Sequence, residues 1–366
     1  MNQRFESLDA FRGICALSVV VYHMRLIGSI TEINFFRGSW IFVEFFFVLS
    51  GFVLAHGYGF KNDLNFKTFM KSRFFRLYPL HLFMFIVFIL LELCKLIAFK
   101  FGGFVFNQEP FTNSSAMSEI LPNLLLIQSW TPFSDPLSFN YPAWSISIEF
   151  YMYALLFVSI SLFKSYKFIS WLSVSLLAFI LIYLGSDILV DNVLKGLSCF
   201  FGGAFTYVIY KKLSHLKPSY VLGSIIEFIL LLGVVFIVKS DIKYQSIIAS
   251  FLFFLTVLFF AFEAGIFSEM LKVKPLQYAG KLSYSIYMTH AAILFCIISI
   301  TIVFQKITGT EVTLTIETVR YLNFGDSLTN NFVVIFVLFL VMFISSFTYK
   351  YIEVKSQKLN KNRMKN

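Results

Sequence analysis

A chain of 366 residues that is 58% hydrophobic and 14% charged, with a mean hydropathy of +0.78, does not read as a soluble enzyme. Soluble domains run at roughly 45–50% apolar and about 25% charged. The formal charge of +10 raises nucleic acid as a partner, but the 30 Lys and Arg residues are placed as membrane topology would place them.

Ten apolar runs follow in chain order, at 9–29, 39–58, 77–99, 144–163, 168–185, 192–210, 219–238, 244–262, 283–304 and 331–349. Runs of about 17–24 residues cross a ~30 Å hydrocarbon core as helices. Barrel strands would alternate instead of running continuously apolar. The expected fold is an all-α polytopic membrane protein, a bundle of about ten transmembrane helices. One transmembrane domain is expected over 1–352, followed by a basic cytoplasmic tail over 353–366. The first run carries Arg12 and no small-residue cleavage site, so it is expected to stay as the first span.

Twenty basic residues fall in the segments on the same side as Arg4, among them Arg73, Arg76 and the cluster from Lys350 to Lys365. Nine fall on the opposite side, and Arg12 lies within a span. The excess predicts both termini in the cytoplasm. The charge is thereby explained without nucleic acid. Cys15, Cys94, Cys199 and Cys296 stand singly in apolar runs, at spacings that suit packing and neither a disulfide framework nor a metal.

Ionisable groups inside hydrocarbon cost a few kcal/mol or more each and mark function by default. They are Arg12, His23, Glu44, His81, Glu149 and His290. Glu92, Glu227, Glu263 and Glu353 lie near span ends, where snorkelling to the interface is expected. Arg12 and His23 are eleven residues apart, about 20° past three helical turns and roughly 16 Å along the axis. A permanent cation at the inner mouth and a titratable imidazole deeper on the same stripe suit an extended ligand, anionic at one end and reactive at the other. Arg73 and Arg76 are neighbours on a helix face at the cytoplasmic mouth, and guanidinium forks pair well with phosphates. Span four opens with Trp144, Ser145 and Glu149, the last two an i, i+4 pair. A carboxylate near the depth of His23 suits an imidazole acting as general base.

Five segments in order resemble the acyltransferase family 3 of integral membrane proteins, which O-acylate bacterial envelope sugars and other acceptors. They are Ser7-Leu-Asp-Ala-Phe-Arg12-Gly with His23, Phe45-Phe-Phe-Val-Leu-Ser50-Gly51-Phe52, and Arg73-Phe-Phe-Arg76-Leu-Tyr-Pro79. Trp144-Ser145-Ile-Ser-Ile-Glu149 and Gly280-Lys-Leu-Ser283-Tyr284-Ser285-Ile-Tyr287-Met-Thr-His290 complete the set. The resemblance implies ten helices with both termini inside, in the bacterial cytoplasmic (inner) membrane. It implies transfer of an acyl group, by family habit acetyl, from cytoplasmic acetyl-CoA to a hydroxyl of an extracytoplasmic or lipid-linked sugar. No metal is implied. Carried over by position, His23 is the catalytic base, supported by Glu149. Arg12, Arg73 and Arg76 hold the coenzyme, and Glu44, Ser145, Trp144, Tyr284 and His290 are substrate-binding or supporting.

The chain departs from the family pattern at Glu44, where Asp is usual, and at Thr289, where Trp is usual. Lys355 follows Tyr351-Ile-Glu353 where Pro is usual. Some relatives carry an esterase-type domain for the outer step. Without one, transfer is completed in the membrane domain or handed to a separate periplasmic or glycan-assembly partner. The alternative from another class is a transporter or flippase of an anionic or acylated envelope precursor, using the same buried charges as a path.

Overall fold

The computed structural model describes residues 4–61, 63–104, 106, 108–316 and 319–363. Its first four long helices are α1 (Glu6–His23), α2 (Phe42–Tyr58), α3 (Phe66–Gly102) and α4 (Ala143–Phe163). Then come α5 (Lys167–Tyr183), α6 (Asp191–Leu213), α7 (Tyr220–Lys239) and α8 (Gln245–Phe260). The last are α9 (Lys274–Thr308), α10 (Ser327–Thr348) and, beyond a π-helical turn at Tyr349–Glu353, α11 (Val354–Arg363). A short antiparallel hairpin, β1 (Thr313–Ile316) and β2 (Val319–Leu322), precedes α10.

Among the described residues, seven helical stretches are long and apolar enough to cross a membrane, and one of them, Ala143–Tyr183, holds both α4 and α5. The protein is a multi-pass helical membrane protein. Lys365 of the basic tail lies outside the described residues.

Helix ends depart from the apolar runs where local chemistry decides them. Helix α3 starts at Phe66, well before position 77, because the Asn65 side chain accepts from Thr68 N at 3.0 Å and caps it. Helix α9 starts at Lys274 with Pro275 in its first turn, where a missing N–H costs nothing. Helix α1 stops at His23 and not at 29. Beyond it Leu26 bridges to Leu322, while Ile27 N donates to Leu322 O and Leu322 N to Arg25 O. The β2 edge therefore takes the backbone groups that a longer helix would have satisfied internally.

The chain's contacts divide it into two compact units. One comprises the chain through Ala16, Gly38–Arg73 and Ile148–Ser283; the other comprises Leu17–Arg37, Phe74–Ser147 and the chain from Tyr284 on. In the first, α6 packs on α2 and α5, and α7 packs on α8. Helices α2 and α6 meet backbone to backbone: a Cβ on Gly51 would lie 1.8 Å from Phe200 O, and one on Gly203 2.0 Å from Val48 O. Small residues allow such approaches between membrane helices, where apolar burial gives no drive to associate. Phe52, Phe200, Phe253, Phe260 and Trp171 are fully buried there, and Trp171 Nε1 donates to Ser159 Oγ at 2.8 Å.

In the second unit, Pro79 interrupts the α3 ladder and leaves Phe75 O without its usual donor. The Ser356 hydroxyl, 2.9 Å away on α11, serves that carbonyl. Such rescue by a neighbouring hydroxyl is how prolines persist in membrane helices.

Of the four carboxylates expected to snorkel, Glu92, Glu227 and Glu353 are buried and Glu263 is partly exposed. Glu92 is buried against Lys95 at 2.9 Å, and Glu227 accepts from Gly265 N and Ser268 N, both at 3.0 Å. Glu263 accepts from Ser7 N at 3.0 Å and pairs with Lys272, and buried Glu353 accepts from Ser285 Oγ. Each satisfies donors of a neighbouring segment, which outweighs the gain from reaching water.

Candidate functional site

His23 is the last residue of α1, and the segment after it is held in place from outside the helix. Arg37 donates to Val21 O at 3.2 Å, to Met24 O at 2.8 Å and to Thr31 O. A guanidinium on the last carbonyls of a helix satisfies orphan acceptors and complements the negative end of its dipole. Burial, aided by the charge of Arg25, brings Arg37 down to about 10, which leaves it charged at neutral pH.

Three rings surround the His23 imidazole. Its centroid lies 4.5 Å from Tyr141, 5.2 Å from His290 and 4.7 Å from Tyr22. The rings of Tyr141 and His290 are 5.7 Å apart. His290 is fully buried, with Nδ1 3.3 Å from Ile286 O and Nε2 without a hydrogen-bond partner among the described residues. A buried polar atom left unpaired costs of order 1–3 kcal/mol and calls for a ligand or water.

The loop into α4 is fastened beside this cluster. Asn140 Nδ2 donates to Met288 O at 3.2 Å, and its Oδ1 is a second orphan among the described residues. Ser145 Oγ donates to Tyr287 OH at 3.0 Å, and Ser147 Oγ to Leu126 O at 2.7 Å. Trp144 is the second residue of α4 and is half-buried. Tyr284 OH donates to Leu77 O at 2.7 Å, tying α9 to α3. His81 stands apart from the cluster's bonds, with Nε2 2.9 Å from Asn123 O. His23 and Tyr141 line a cavity of about 470 Å³, which the Glu92–Lys95 pair also lines.

The remaining candidates, Arg76 excepted, belong to the first unit. Glu149 accepts from Ser50 Oγ and Tyr153 OH, both at 2.5 Å. Arg73 lies over the Tyr58 ring at 5.5 Å and the Tyr153 ring at 5.9 Å, with Nη2 3.3 Å from Tyr58 OH. Tyr153 thus adjoins both the carboxylate and the guanidinium. Glu44 is buried on α2 and accepts from Ser246 Oγ at 2.5 Å and Ser250 Oγ at 2.9 Å, joining α2 to α8. Arg12 lies on α1, one continuous helix from Glu6 to His23. Arg76 follows Arg73 by about one turn of α3.

Sequence reasoning named His23 and His290, which meet, and assigned no role to Tyr141, Ser50 or Tyr153. Ser50 lies inside a quoted motif and Tyr153 is one helical turn from Glu149, whereas Tyr141 carried no such signal. Glu92 was expected near a span end, although its i, i+3 spacing to Lys95 in an apolar run marks a buried pair.

A family model described as "Acyltransferase domain" matches residues 5–351. The acyltransferase MdmB of Streptomyces mycarofaciens is 34% identical over 41% of this chain and 38% of its own. A putative acetyltransferase, ORF330, of Acidianus two-tailed virus is 26% identical over 76% of this chain and 80% of its own. The O-acetyltransferase OatA of Staphylococcus aureus is 23% identical over 78% of this chain, which spans half of OatA's length. No match was found among solved structures.

Proposed function

Because the chain belongs to the acyltransferase domain family and is an acyltransferase, we propose that it carries an acetyl group from cytoplasmic acetyl-CoA to a hydroxyl of an extracytoplasmic or lipid-linked sugar. The names of its relatives, acetyltransferases and an O-acetyltransferase among them, support a hydroxyl acceptor and an acetyl donor. The basic excess on one side supports cytoplasmic termini in a bacterial inner membrane, with 1–352 as the catalytic membrane domain and 353–366 as its basic tail. The transporter reading gives way to the family assignment.

The observation that carries the reading is the His23 cluster at the wall of a cavity of about 470 Å³. Small-molecule sites of roughly 300–1,000 Å³ are the usual size. His23 takes the proton of the acceptor hydroxyl as that oxygen attacks the thioester carbonyl, and the C–S bond breaks. The coenzyme leaves as thiolate and recovers the proton from the imidazolium.

Acetyl-CoA fits these residues in kind. Its phosphates suit the guanidiniums of Arg12, Arg73 and Arg76. The rise from Arg12 to His23, roughly 16 Å along one helix, is of the order of an extended pantetheine arm. Glu149, which accepts from Ser50 and Tyr153, is assigned a supporting role by its place in the family motif. Ser145, Trp144, Tyr284 and His290 shape the acceptor side, and Glu44 supports the fold by joining α2 to α8.

The test is transfer from acetyl-CoA labelled in its acetyl group, by protein in lipid nanodiscs, to a crude envelope glycan fraction. Alkali-labile label on the glycan is expected. Coenzyme binding and glycan present, with no such ester formed, would overturn the reading.

A further inference from the structure

The cavity beside His23 is lined on one side by groups that the reaction itself does not use. Glu92 Oε1 accepts from Lys95 Nζ at 2.9 Å and from Ser115 Oγ at 3.2 Å, and Oε2 accepts from Phe111 N at 3.1 Å. The protein therefore fills the carboxylate with donors. An ammonium carries three N–H donors, and Glu92 takes one. The same buried ammonium lines the cavity with Gln108 and Ser114, and with the rings of Phe88, Phe139 and Tyr141.

A buried ion pair is neutral as a unit, so this wall offers hydrogen bonds without net charge. Donors beside aromatic faces suit a polyhydroxylated ring, whose C–H faces stack while its hydroxyls bond.

Lys95, Phe106, Phe295 and Ser299 also line a second chamber of about 360 Å³. Its other walls are Leu91, Cys94 and Ala98 of α3 and Cys296, Ile300 and Val303 of α9. The walls reach the outer face of the helices, where Leu93, Ile97, Ile300 and Phe304 are exposed in a chain that spans lipid. The chamber that His23 lines, with its polar side at Lys95, thus shares a wall with an apolar chamber bordering the bilayer. A soluble polysaccharide would have no use for the second.

We infer that the two chambers are the acceptor subsite: Lys95 hydrogen-bonds a sugar hydroxyl beside His23, and an apolar chain attached to that sugar lies between α3 and α9. The acceptor is then a membrane glycolipid that enters sideways from the bilayer. The inference rests on the acyl-transfer reading and adds to it the acceptor's class and the residues that hold it.

Cys94 and Cys296 line the chamber as free thiols and report on its occupancy without turnover. The full-length protein in phosphatidylcholine nanodiscs is alkylated with N-ethylmaleimide, and both sites are read by mass spectrometry. Dodecyl β-glucoside is expected to slow alkylation saturably, and methyl β-glucoside is not. Loss of a hydrogen bond to a charged group, in Lys95→Met, should raise the half-protecting concentration about 10- to 100-fold.

Ala98→Trp fills the chamber, leaves Lys95 in place and should raise that concentration similarly, so the test survives if Lys95→Met fails to fold. Absent protection, or protection that rises linearly with glucoside and is equal in both variants, would overturn the subsite as mere partitioning. Acetyl transfer from acetyl-CoA is followed in the same samples. Saturable, Lys95-dependent protection without an acetyl ester on dodecyl glucoside would strike the acyl-transfer reading and leave the subsite standing.

Discussion

Removing Arg37 should damage the enzyme twice, through stability and through the position of His23. The guanidinium serves three carbonyls, Val21 O, Met24 O and Thr31 O, two of them flanking His23 at the end of α1. Hydrogen bonds to a charged donor contribute about 1.5–3 kcal/mol each, and a further ~0.3–1 kcal/mol comes from the helix dipole. The three share one partly exposed side chain, so their sum overstates the loss. Arg37→Ala should cost about 2–3 kcal/mol. A shift of about 1 Å in a reacting group can cost about 100-fold in rate, so kcat should fall further than the folded fraction does. The assay pairs thermal unfolding in detergent with kcat measured well below the transition. Arg37→Lys keeps the charge, loses the fork and should fall between. An Arg37→Ala protein with unchanged melting and unchanged kcat would refute the idea that this cap positions His23.

Further outcomes follow from other contacts. Gly51→Ala drives a methyl into Phe200 O, so it should separate α2 from α6 and destabilise by about 1–3 kcal/mol or more, read as lowered thermal stability. Glu44→Ala leaves the Ser246 hydroxyl without its acceptor at a buried node, while Ser250 keeps Ser246 O, which should cost about 1–3 kcal/mol, whereas Glu44→Gln should retain most of it. Asp326 caps α10: the Thr329 hydroxyl and N–H hold its carboxylate below the usual range. That contribution is present above the unfolded carboxylate's pKa and is lost as pH falls through the lower folded one. Protection of the Thr329 amide, its exchange rate taken relative to the intrinsic rate at each pH, should therefore fall on acidification, and this fall should be absent in Asp326→Asn.

The helices were legible because apolar runs of membrane length have one physical solution, helices with internally satisfied backbones. Their ends were less so, since Asn65, Pro275 and the β2 edge set them by contacts that hydropathy does not register. His23 was legible as an imidazole without an interface to reach, and His290 as a second one in an apolar helix. Tyr141 was not, because a tyrosine near a membrane boundary reads as interfacial until its distance to His23 is known. The buried roles of Glu92 and Glu353 escaped for a related reason. Their partners Ser115 and Ser285 become visible only once the chain is packed, although Lys95 stands one turn from Glu92 on the same helix.

The central claim is that His23 is the base of acyl transfer and is separate from the coenzyme's binding groups. The most direct test follows free thiol released from acetyl-CoA by wild-type and His23→Ala protein in nanodiscs, with acetyl-CoA affinity measured on both. Catalysis by His23 predicts release in the wild type and its loss in the variant, with coenzyme affinity unchanged. Equal release from both proteins, each verified as folded, would contradict it and move the base to another residue.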